Sequence, residues 1–166
     1  HIKDMIAHLR VILNPDDTIS LNRILLLLKG IGSKAVSTII PVIQDKSYNK
    51  NLLPSKYNVV LSPLFKILQE SDNYELQDLI ENLINYYRPI LKDKYDDYQK
   101  REKDLEHFLY LSKQYKKLDS FLSDLALEPP EATVEGMYKN NIKDDCLTIS
   151  TIHSAKGLEW NSVFII

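Results

Sequence analysis

Along most of the chain the apolar residues recur at helical spacing. Ile2, Met5, Ile6, Leu9, Ile12 and Leu13 form one stripe and predict a first helix that stops at Asn14-Pro15. Asp16, Asp17 and Thr18 offer caps for a second helix over about 20–29. Gly30-Ile31-Gly32 breaks that pattern, and Ser33 opens a third helix through Ala35, Ile39, Ile40 and Ile43, with Pro41 as a kink or a fresh start. Residues 46–61 are polar, contain Asn and Pro, and read as a loop. Ser62-Pro63 predicts the start of a short helix with Leu64, Phe65, Ile67 and Leu68, because proline suits the first helical position. Asp72 and Asn73 can cap a longer helix bearing Leu76, Leu79, Ile80, Leu83, Ile84 and Tyr87. Two further helical patterns follow, one with Leu105, Phe108, Leu109 and Leu111, the other with Tyr115, Leu118, Phe121, Leu122 and Leu125. The Lys, Asp, Glu and Gln between these positions form a solvated face.

The period changes after Glu128-Pro129-Pro130. Residues 131–145 read as an irregular linker. From Cys146 to Thr151 apolar and polar residues alternate and β-formers dominate. A glycine-containing turn spans 153–157, and Val163-Phe164-Ile165-Ile166 is a candidate buried parallel strand. The expected fold is therefore mostly α: a helical body of about 130 residues, then a strand–turn–strand piece of an α/β domain. The chain starts without Met and stops inside that apolar run, which reads as a segment cut from a longer protein.

Composition narrows the classes. With 166 residues, 44% hydrophobic and 27% charged, one domain plus a fragment of another is expected, and disorder is not. A net charge of −2 means that any nucleic-acid contact must be local. The single Cys146 excludes an internal disulfide framework and suits a reducing compartment. His1, His8, His107 and His153 lie far apart, so no metal site is expected. The first residues are amphipathic and charged, unlike a signal peptide, and the apolar run at Ile24 to Leu28 is far short of the roughly 20 residues a membrane span needs. A cytoplasmic location without membrane contact is the expectation.

Two constellations bear on chemistry. The first is Leu27-Leu28-Lys29-Gly30-Ile31-Gly32-Ser33-Lys34-Ala35, a helix, a tight Gly-x-Gly turn and a second helix, which is the helix-hairpin-helix pattern. Glycines permit positive φ and close backbone approach, and the next helix start presents unpaired N–H groups and the positive end of its dipole. A phosphate can sit there, with Lys34 and Lys29 adding charge. Such contacts position a duplex without reading its sequence. The bland alternative makes Gly30 a helix C-cap and Gly32 a turn residue only.

The second constellation is Thr148-Ile149-Ser150-Thr151-Ile152-His153-Ser154-Ala155-Lys156-Gly157-Leu158-Glu159-Trp160. It resembles motif V of superfamily 1 helicases of the UvrD/Rep/PcrA type, T-x-H-x-x-K-G-L-E followed by an aromatic or similar residue. Thr151, His153, Lys156, Gly157, Leu158 and Glu159 match at fixed spacing. Near the start, Lys3, Asp4, Ala7, Leu9, Arg10, Asn14, Pro15 and Asp17 match the family pattern K-D-x-x-A-Y-L-R-x-x-x-N-P-x-D, with His8 where Tyr is usual. The glycine turn is similar to the element that opens the family's helical 2B subdomain.

The resemblance implies a division into 1–19 from RecA-like motor domain 2A, 20–130 as the 2B subdomain, 131–145 as linker, and 146–166 as the return to 2A. It implies single-stranded DNA at Thr151 and His153, nucleotide at Gly157 and Glu159, electrostatic support from Lys156, and duplex backbone at Gly30, Ile31, Gly32, Ser33 and Lys34. The parent would be an ATP-dependent DNA helicase using ATP and Mg²⁺, moving 3′ to 5′ in repair or replication. No phosphate-cradling G-x-x-x-x-G-K-[S/T] loop and no paired-acid metal site is present, so this segment is expected to need no cofactor and to be inactive alone. Regulatory proteins on the helical subdomain are further expected partners. Two rivals stand beside this reading: the same region of an AddA/RecB-type helicase–nuclease, and a helical protein-interaction module without DNA binding. Ser154-Ala155 and the short glycine hairpin lean toward the UvrD type.

Overall fold

A computed structural model describes residues 1–46 and 48–127. The first helix, α1, is Ile2–Leu13 and ends at Asn14, whose side chain accepts the Asp16 N–H at 3.0 Å. Helix α2 is Thr18–Leu25, capped by Asp17, which accepts from both the Ser20 N–H (3.0 Å) and the Ser20 hydroxyl (2.7 Å). It is shorter than its apolar pattern suggests. After Leu25 the backbone tightens into i→i−3 turns, Leu27 N–H to Ile24 O and Leu28 N–H to Leu25 O. Helix α3 follows as Ser33–Gln44 and runs unbroken through Pro41.

The stretch 46–61 is not one loop. It holds two 3₁₀ turns, Lys50–Leu52 and Ser55–Tyr57, and then the first turn of α4, Asn58–Glu70. Pro63 thus sits inside α4 instead of opening it. A third 3₁₀ turn, Ser71–Asn73, replaces the expected Asp72/Asn73 cap, and α5 spans Leu76–Lys94 with Glu75 at its N-cap. Helices α6, Tyr98–Ser112, and α7, Leu118–Leu127, complete an all-helical arrangement among the described residues.

Helix α1 is the hub, packing against α2, α5, α6 and α7. Its Ala7 and Val11 join Leu21, Ile24, Leu25, Ile39, Ile43, Leu61, Leu64 and Phe65 in one core of α1 to α4. On the other side α5, α6 and α7 bury Leu83, Tyr87, Leu91, Leu105 and Phe108, and Phe121 lies 5.2 Å from Phe108, ring centre to ring centre. All seven helices belong to one unit, His1–Pro130. Among the described residues no helix is long and apolar enough to cross a membrane. The expected strand–turn–strand piece lies outside the described residues.

Candidate nucleic-acid interface

The α2–α3 connection is a built corner. Leu28 and Ile31 are buried and anchor it to the core, while Lys29, Gly30, Gly32, Ser33 and Lys34 are exposed. Ile31 donates its N–H to Leu28 O at 3.1 Å, closing the turn across Gly30. Gly30 has φ +81, a left-handed conformation that only glycine adopts without strain. It is not the C-cap of α2: that place belongs to Leu26, four residues earlier.

Gly32 is a different case. It is the N-cap of α3 with φ −104 and ψ 178, extended backbone open to any residue. A Cβ there would meet nothing within 4 Å. Ser, Thr, Asp or Asn would cap the helix better, because a side-chain oxygen could take an N–H of the first turn. The Gly32 carbonyl accepts from Ala35 and Val36, but the N–H groups of Ser33 and Lys34 have no intrahelical acceptor and no capping side chain. Among the described residues the corner therefore exposes two donors that no side chain caps, the positive end of a twelve-residue helix dipole and the Lys34 ammonium.

A second group of side chains ties α2, the helix before the corner, to α1 and α5, and sequence pattern alone did not find it. Asp4 on α1 is 2% exposed. Its carboxylate accepts from Arg23 Nε on α2 and from the Tyr87 hydroxyl on α5, each at 2.7 Å. Burial alone would raise the Asp4 pKa, but the hydrogen bonds from Tyr87 and Arg23 hold it below the usual carboxylate value. Burial, reinforced by Asp4, pushes the Tyr87 phenol up. One turn along α1, His8 donates from Nδ1 to the Asp4 carbonyl at 2.7 Å and meets the Tyr86 and Tyr87 rings edge-on. Burial lowers the His8 pKa to about 4.

Thr151, His153, Lys156, Gly157 and Glu159 lie outside the described residues, so of the two constellations only the glycine corner has a geometry here. Among the described residues no three His, Cys, Asp or Glu side chains are grouped to hold a metal ion.

The family model for the UvrD-like helicase C-terminal domain matches residues 1–166. The chain belongs to that family. As a UvrD-like helicase C-terminal domain it is similar to the ATP-dependent DNA helicase PcrA of Bacillus subtilis, 29% identical over 187 residues covering 99% of this chain. PcrA of Staphylococcus epidermidis is 28% identical over 193 residues and that of Staphylococcus aureus 27% over 195, each again over 99% of the chain. The chain spans 25% of the length of each relative. No solved structure matches it.

Proposed function

We propose that this UvrD-like domain is part of an ATP-dependent DNA helicase, and that its glycine corner grips the phosphate backbone of the duplex. The observation behind this is Gly32. Neither its φ nor its surroundings require glycine, and the fold would be capped better without it. A ligand closing on the helix start would favour glycine, because no side chain then stands in its way. The free N–H groups of Ser33 and Lys34, the helix dipole and the Lys34 charge suit a phosphate. Within the parent, Thr151 and His153 would meet the single strand, and Gly157 and Glu159 the nucleotide, with ATP and Mg²⁺ supplied to motor domains of which 1–19 and 146–166 form part. Translocation would run 3′ to 5′.

Gly32→Asp makes the test selective. Asp is a preferred N-cap, so the fold keeps or gains stability, while its charge and bulk occupy the anion position. In fluorescence anisotropy with a tailed duplex at low salt, we expect Gly32→Asp to weaken binding about tenfold or more, given the 1.5–3 kcal/mol carried by hydrogen bonds to charged groups. Lys34→Ala should reduce the salt slope by about one. Equal affinity of wild type and Gly32→Asp, with the melting temperature unchanged, would reject the corner as a DNA contact.

A further inference from the structure

Asp4 takes no part in the corner, yet the geometry links it there. A buried carboxylate is costly, and one held by two directional bonds adds geometry more than stability. Arg23 lies in the last turn of α2. Around and beyond it, backbone hydrogen bonds close the turns that lead to the corner: Leu26 N–H to Asn22 O, Leu27 to Ile24, Leu28 to Leu25, and Ile31 to Leu28. Leu28 and Ile31 are buried, each 6% exposed, so no slack loop separates Arg23 from Gly30. Tyr87 holds the same carboxylate from α5 and fixes its rotamer.

We propose that Asp4 is a positioning residue: through Arg23 it sets the angle of α2 on α1 and α5, and thereby aims the donors of Ser33 and Lys34 at the duplex. This rests on the corner being the duplex contact. To the apolar packing between α1 and α2 the Arg23–Asp4–Tyr87 link adds two directional bonds of 2.7 Å. Loss of the carboxylate charge leaves the helices packed but releases the angle.

The test is a double-mutant cycle in the 166-residue chain, read by duplex anisotropy at low salt and by circular dichroism. Asp4→Asn keeps the size of the side chain and an acceptor for Tyr87 while removing the charge that holds Arg23. We expect it to weaken duplex binding about fivefold in the wild-type background and less than about twofold in the Gly32→Asp background, because coupled sites are not additive. A purely structural role would give the same loss in both backgrounds. Equal losses, or no loss, would overturn the proposal. If Gly32→Asp itself leaves binding intact, it is the corner reading that fails, and the cycle shows this separately. Should Asp4→Asn not fold, Arg23→Gln, at a side chain 47% exposed, enters the same cycle under the same criterion.

Discussion

His8 donates from Nδ1 to a carbonyl, which can only accept, so that nitrogen bears the proton and Nε2 is a bare lone pair. Nε2 is buried without a hydrogen-bond partner among the described residues, and the Tyr86 hydroxyl shares that condition. A second proton on His8 would put a charge on a ring that is 1% exposed, which is why its pKa falls from 6.5 to about 4. Above pH 6.5 both the folded and unfolded states are neutral here and the contribution to stability is complete. As pH falls from 6.5 toward 4 the unfolded chain takes up a proton that the folded chain refuses, so stability drops. The loss should reach about 2–3 kcal/mol between pH 7 and 4.5, at about 1.4 kcal/mol for each tenfold difference in proton affinity between the two states. Asp4 titrates below this window because its pKa is lowered from 3.8. Urea unfolding at the two pH values checks the slope, and His8→Phe should flatten it; an unchanged slope in that variant would assign the acid sensitivity elsewhere. In the sequence His8 stands out only as the residue found where Tyr is usual in the family pattern. Its ring partners stand on α5 and Asp4 reaches Tyr87 across 83 residues, a separation that periodicity does not encode.

Proline explains why the start of α4 departs from its expected place, whereas the early end of α2 and the 3₁₀ turn before α5 involve none. Pro41, Pro63 and Pro89 all lie inside helices, in α3, α4 and α5, and all three are exposed. Each deprives the carbonyl four residues earlier of its donor, and those residues, Ser37, Val59 and Asn85, are exposed too. Water can satisfy the freed oxygens. That is why Pro63 could sit within α4, although the preference of proline for a first turn made it look like a start. Of the apolar face of α4, Leu64, Phe65 and Leu68 were legible because burial fixes the period regardless of proline, whereas Leu61 fell in the expected loop. Pro89 stands well inside the nineteen-residue α5. Pro89→Ala restores one helical bond and removes a steric clash at an exposed site. It should therefore stabilise the chain by about 1–3 kcal/mol, the usual helix-interior cost of proline. A raised melting temperature is the expected reading. A lowered one would mean that α5 needs Pro89 to pack against both α4 and α6.

At the scale of the molecule, the helical class followed from composition and period, and the family from residues 148–160 and the first helix; the tertiary links were not readable, because they join helices remote in sequence. What the chain can do alone follows from its glycines. Phosphoryl transfer from ATP needs a glycine-rich loop ending in Gly-Lys-Ser/Thr to cradle the phosphates, and ligands for Mg²⁺. The chain has four glycines, Gly30, Gly32, Gly136 and Gly157, followed by Ile, Ser, Met and Leu. None is followed by Lys. Gly157 and Glu159 could touch a nucleotide, but touching the sugar or the edge of the phosphates does not place a γ-phosphate in line with water. The purified 166-residue chain should accordingly release no phosphate from ATP above the level of a Lys156→Ala variant, with or without DNA, even under conditions where the glycine corner binds duplex. Phosphate release above that control, stimulated by single-stranded DNA, would show that the segment holds a complete hydrolytic site and would break the assignment of its residues to a helper role. Binding without hydrolysis would fit a domain that feels both the nucleotide and the duplex and leaves the chemistry to its neighbours.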